Sequence, residues 1–205
     1  MPNNPDTPNG FKPVRYLDGS PYNGAHNLYA KLVGYETALF IGDTVQTADV
    51  GGTDGVIING IDITGMPVVE RGAVSTDMVG VVVGFYPNPT ALETNHSPAS
   101  TAQIVMVADA PNLIFEVQED GVGGTFGVTD VGRNVDQVAA LAGNTTTGTS
   151  LLELDSSVAS VTTTAGWRLL RLVPRPGNVL GVTATPNARW EVLPIEHMMN
   201  SRTGI

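Results

Sequence analysis

The sequence predicts an all-β protein, a barrel or sandwich with one short helix and an extended N-terminal arm. Short runs rich in Val, Ile, Thr and aromatics recur along the chain, each bounded by Gly, Pro, Asn or Asp. Their spacing of roughly ten residues is the pattern of barrels and sandwiches. Only one stretch carries the signals of a helix. The clearest region is 80–120, where runs at 79–86, 102–108 and 113–119 are separated by turn residues and contain no catalytic signature.

Residues 1–27 come first and differ from the rest. Pro2, Pro5, Pro8, Pro13 and Pro21 are spread through them. Proline fixes φ and removes a donor, so this segment is no helix and no central strand. It is expected to be extended or polyproline-like. Phe11, Val14, Tyr16, Leu17 and Tyr22 make it more than a solvated tail. Apolar and aromatic residues spaced along such a segment suit an arm that docks in a neighbour's grooves.

The body, 28–205, follows. Strand-like runs are expected at 35–41, 56–63, 68–71, 78–86, 102–108, 113–119 and 167–173. Further short candidates are 127–131, 151–154, 179–183 and 189–193. Stretches 51–55, 121–124 and 174–178 are turns or loops. The stretch 134–143 reads as the helix: Asn134 is an N-cap residue, Gln137 stands at the third helical position, and Gly143 closes it. A Thr-rich loop, 144–150, and a small polar stretch, 156–165, complete the body. There is no internal repeat of fixed period.

A chain of 205 residues buries roughly 70% of its unfolded surface, so it needs no metal or disulfide to hold a core. It contains no cysteine, which excludes thiol catalysis, thiolate zinc sites and disulfide frameworks. Ten basic residues face twenty acidic ones. Nucleic-acid binding rests on neutralising phosphates, so direct DNA or RNA binding is not expected. Charged residues are only 15% of the chain, well below the usual quarter, as in proteins that pack against neighbours. No apolar run reaches the roughly 18 residues of a membrane span. The opening residues lack a basic n-region and an apolar h-region, so no signal peptide is expected. The sequons at Asn95 and Asn144 are therefore coincidental.

The search for chemistry yields little. His26, His96 and His197 have no second ligand at metal spacing, whereas zinc takes three or four. No nucleophile elbow, phosphate loop or zincin motif occurs. The glycines of 121–127 fail the dinucleotide spacing because Phe126 stands where the third Gly belongs. Asp43, Asp49, Asp54 and Asp62 are Gly-interleaved but do not alternate as in a calcium loop, so solvated turns are expected. Glu116 and Glu119 would point to opposite faces of a strand, which disfavours a catalytic pair. Trp167 and Trp190 read as core residues, with interface anchors as the alternative. No cofactor, metal or catalytic residue is assigned, and no enzymatic activity is expected.

Three stretches carry a resemblance: 11–24 (FKPVRYLDGSPYNG), the strand and turn at 80–89, and the pair at 102–120 ending in Phe115-Glu116-Val117-Gln118-Glu119-Asp120. Together they resemble the capsid decoration (cement) proteins of tailed bacteriophages, over most of residues 10–197. The resemblance implies a β-barrel or β-tulip-like body that forms a homotrimer at three-fold and quasi-three-fold positions on the outer capsid surface. It implies the major capsid protein as partner, with the N-terminal arm lying on adjacent subunits. Phe11, Val14, Tyr16, Leu17 and Tyr22 would then be the arm's anchors. The alternative is a tail- or fibre-associated β-module that binds host glycans. A glycan hydrolase is the third possibility, but nothing places two carboxylates about 5–10 Å apart.

Overall fold

The computed structural model describes residues 4–89, 91–138, 142–160, 165–181 and 186–200. The fold is all-β, built around a closed five-stranded barrel and an antiparallel six-stranded sheet.

The barrel comprises β2 (Asn27–Lys31), β3 (Thr44–Gly51), β6 (Pro67–Arg71), β7 (Gly80–Phe85) and β8 (Gln103–Ala108), in the order β2-β6-β3-β7-β8. Its neighbours are antiparallel except β2 and β6, which run parallel at Ala30 and Val68. A two-stranded hairpin, β4 (Ile57–Ile58) with β5 (Ile61–Asp62), lies between β3 and β6 in sequence. The larger sheet takes β1 (Lys12–Tyr16), β9 (Leu113–Gln118), β10 (Asn134–Gln137), β11 (Leu154–Ser160), β12 (Trp167–Leu172) and β13 (Arg189–Pro194). Their order is β1-β9-β13-β12-β10-β11.

Each unit has its own core. Tyr29, Leu39, Val45, Val69, Val79, Val82, Val105 and Val107 fill the barrel. The inner face of the sheet is aromatic. Phe11 stacks on Trp167 at 4.3 Å, Phe115 meets the same ring edge-on at 5.5 Å, and Phe126 meets Trp190 edge-on at 5.9 Å. Strand β7 joins the two, with Val81 in the sheet's core and Val82 in the barrel's. Both tryptophans are thus core residues, as the sequence suggests.

The helix expected at 134–143 is not formed. Asn134–Gln137 is strand β10, Val138 N–H donates to Glu153 O, and 139–141 lie outside the described residues. Tertiary pairing overrides the local signals: β10 is held on both sides, by β11 and by β12, and Val135 enters the core. The sole helical turn among the described residues is a 3-10 turn at Met198–Asn200. Other strand expectations also differ: 151–154 reaches a strand only at Leu154, and 179–181 form none, with 182–183 outside the described residues. Residues 35–41 contribute only isolated bridges at Leu39 and Ile41, and 127–131 form turns.

The N-terminal segment is extended, as expected, and lies on the chain's own sheet. β1 pairs with β9 as the sheet's edge strand. Just before it, the chain crosses Gly42 so closely that a Cβ on Gly10 would sit 2.5 Å from Gly42 O, and Gly10 has φ +68°. Only glycine meets both demands. Past that crossing Phe11 N–H donates to Gly42 O, and the ring enters the aromatic core.

Candidate functional site

Three regions collect the chemistry. The first is apolar. Where β3 leaves the barrel, the chain folds into the β4–β5 hairpin, whose tip carries Asn59 and Gly60 with positive φ. Ile58 and Ile63 pack inward with Ala30, Val68 and Ile104. Val33 (65% exposed), Val50 (53%) and Val56 (38%) share one apolar surface here, while Ile57, next to inward Ile58, is exposed as well. A cavity of about 450 Å³ opens here, lined by Tyr35, Val50, Val56, Ile58 and Glu70 among others. Exposed Glu36, Asp54 and Asp62 adjoin these residues in sequence. Asp54 and Asp62 both accept from Thr64 Oγ1, at 3.5 and 2.6 Å. Those two are the solvated turn acids expected. Asp43 is not: it is fully buried, 3.5 Å from Arg71, and burial raises its carboxyl pKa against that guanidinium.

The second region is the N-terminal segment. Phe11 is 1% exposed and belongs to the chain's own core, so in this structure it is not offered to a neighbour. Tyr16 and Tyr22 pack half-buried against that core, 6.4 Å apart, and Val14 is half-buried in β1. Leu17, in the turn after β1, is 56% exposed. Residues 4–9 are latched by polar contacts. Asn4 exchanges two bonds with the Val179 backbone, and Arg189 donates to Thr7 O and Asn9 Oδ1. Gln118 accepts from Thr7 N–H and donates to both Asp6 and Glu153. Burial, with Asp6 close by, pushes the Glu153 carboxyl up to about 7.

The third region is the outer face of the large sheet. Inward Phe115, Val117, Trp190 and Val192 leave Glu116, Arg189 and Glu191 pointing out. Register sets Lys12, Glu116, Glu191 and Arg171 in one row across β1, β9, β13 and β12. Two glutamates directly opposite would repel, and each is bracketed by cations. Glu191 accepts from Arg15 at 2.6 Å and from Arg171 at 2.9 Å, while Glu116 lies 2.8 Å from Arg175 and 3.8 Å from Arg189. Burial opposes the ionisation of Glu191, but the two arginines outweigh it and hold the carboxyl below its ordinary value.

Two buried ionisable groups were not legible in the sequence. Lys31 is fully buried in β2 and donates to Ser97 Oγ at 3.2 Å, Thr101 O at 3.3 Å and Pro98 O, with the Tyr35 ring 6.0 Å away. Burial lowers its pKa to about 8. Glu119, also fully buried, accepts from Phe126 N–H, Ala188 N–H and Trp190 Nε1–H, and burial raises its pKa despite these donors. Both tie loops to the body. No group of three or more His, Asp or Glu suited to a metal occurs among the described residues. Comparison of the chain with protein-family models, curated proteins and solved structures returns no match.

Proposed function

We propose that this chain is a structural virion protein. It binds the outer surface of a tailed-phage capsid as a decoration protein and stabilises the shell against internal DNA pressure. It would bridge major capsid protein subunits at three-fold and quasi-three-fold positions, as a homotrimer. The observation that carries the reading is the exposed apolar surface formed by Val33, Val50 and Val56. Contiguous exposed apolar side chains with a polar rim favour a protein neighbour over water. The acidic balance of the chain suits the outside of a DNA-filled shell. The resemblance carried by residues 11–24, 80–89 and 102–120 supplies the identity of the neighbour.

The burial of Phe11 changes how the arm is tested. Deleting residues 1–27 would remove strand β1 and a core aromatic, so loss of binding would report unfolding. Leu17 and the Val33–Val50 surface are the exposed positions that leave the core intact. Paired substitutions Val33→Asp and Val50→Asp are expected to preserve folding and abolish capsid binding. Retained binding would remove the patch from the interface. Quantitative mass spectrometry of purified virions decides the wider reading. About one copy per capsid subunit is expected, whereas a few copies per particle would favour a tail- or fibre-associated glycan-binding module.

A further inference from the structure

The outer face of the large sheet is electrically unlike the rest of the molecule. Of the ten basic residues of the chain, Lys12, Arg15, Arg168, Arg171, Arg175 and Arg189 belong to this face or its adjoining loop, with Glu116 and Glu191 as the acids within the row. Over 27–109, which holds the barrel, nine acids meet two bases. An acidic protein has concentrated its positive charge on one side of one sheet.

At one end of that face lies a concave site. Arg189 forms part of its lining, 9% exposed and fixed by its bonds to Thr7 and Asn9. The latched N-terminal segment forms one wall and the loop at 175–178 the other. The cavity measures about 340 Å³, at the lower end of the roughly 300–1,000 Å³ typical of small-molecule sites. Its lining is polar and holds both donors and acceptors. The Lys12 ammonium makes no hydrogen bond or ion pair among the described residues, and neither does the Asn187 side-chain amide. Arg175 is half-exposed beside Glu116. Pro5 and Pro176 add two apolar rings.

We propose that this cleft binds a carboxylated sugar, a uronic or sialic acid unit of a surface glycan. A carboxylate is recognised by the Lys12 ammonium and the Arg175 guanidinium, since charge-assisted bonds to these groups are the strong ones. Glu116 sets the class. It opposes any bare anion, carboxylate included, and accepts from hydroxyls, which a sugar supplies beside its carboxylate and an inorganic phosphate or sulfate does not. Asn187 offers a further donor and acceptor. The proline rings suit the C–H face of a pyranose. The site is independent of the capsid reading, because it uses the sheet's outer face and not the barrel's apolar surface.

The test is calorimetric titration of the full chain with sialyllactose and with glucuronate-containing oligosaccharides, against lactose and a neutral oligosaccharide. Carboxylated sugars are expected to bind roughly tenfold or more tightly than their neutral counterparts. The pair Lys12→Gln and Arg175→Gln should erase that preference without changing the thermal midpoint, and Arg133→Gln, outside the cleft, should leave it intact. Absence of binding by any sugar, equal binding of neutral and acidic sugars, or insensitivity to the paired substitution would overturn the proposal. Tighter binding of an oligoglutamate peptide would also overturn it, reassigning the face to an acidic protein. Copy number in virions is unaffected by any of these outcomes, so failure here is distinguishable from failure of the capsid reading.

Discussion

The barrel and the six-stranded sheet solve the same problem with different materials. Apart from Tyr29 and Leu39, the barrel's buried core is valine, supplied by strands that close on one another. Closure hides both edges, and small branched side chains suffice to fill so narrow an interior. The sheet is open, so its inner face must be covered by whatever the chain brings there. It is covered by large rings, two of them, Phe11 and Phe126, from outside its strands. The barrel's interior is therefore filled by its own strands and the residues beside them, whereas the sheet depends on rings from outside its strands. The same contrast holds for surfaces, since the barrel carries acids around apolar side chains and the sheet carries the cations.

The contrast is best attacked through Phe11. Phe11→Ala should cost about 3–5 kcal/mol, the range for a buried aromatic, whereas Val105→Ala in the barrel should cost about 2 kcal/mol. Chemical denaturation measures both. Native-state hydrogen exchange sharpens the result: Phe11→Ala should raise exchange in β9, β12 and β13 more than in β3 and β8. Equal loss of protection in both sets would mean that the shared strand β7 makes the two cores one unit.

Glu119→Gln is the next largest effect. The carboxylate receives three donors, and an amide presents N–H₂ to at least one of them. Roughly 2 kcal/mol should be lost, with no change in the barrel's exchange pattern.

The two halves also carry ionisable groups whose effects on stability run in opposite directions. Glu153, in the sheet half, has its pKa raised from the ordinary 4.5 to about 7. The folded state binds the extra proton, so its stabilisation is complete below 4.5 and is lost as pH rises through 7. Stability should fall across that window by up to about 1.4 kcal/mol per pH unit, and Glu153→Gln should flatten the slope. Lys31, in the barrel half, has its pKa lowered from 10.5 to about 8. Here the unfolded chain holds the extra proton, so stability should rise from about pH 8 toward 10.5. Lys31→Met should remove that rise. Denaturant midpoints across pH check both signs. The smallest effect belongs to the surface: Arg171→Ala removes a half-exposed guanidinium while Arg15 still pairs with Glu191, and should change stability by about 0.5 kcal/mol or less.

Six of the thirteen strands were legible because Val, Ile and aromatic runs between turn residues encode them directly. Runs at 68–71, 78–86, 102–108, 113–119, 167–173 and 189–193 correspond to β6, β7, β8, β9, β12 and β13 within a residue or two. The unread strands are those whose reason is not local. β3 holds Gln, Thr and Asp and is a strand because β6 and β7 flank it. β10 carries a capping pattern for a helix and is overruled by two neighbours. The candidate site was less legible still. Lys12, Glu116, Arg175 and Arg189 are scattered over the chain and meet only through strand register and loop placement.

The amino-acid sequence is enough to read the chain as all-β, acidic, free of cysteine and equipped with two tryptophans suited to a core. These are properties of composition and short-range pattern, to which each residue contributes through its own chemistry. Tertiary packing makes Phe11 a core residue and not a free anchor, buries Lys31 with no carboxylate partner among the described residues, and gathers six cations on one face and its adjoining loop. Each of these depends on which distant segment covers a residue. Side-chain chemistry sets the energy of being covered, but the fold alone sets the neighbour.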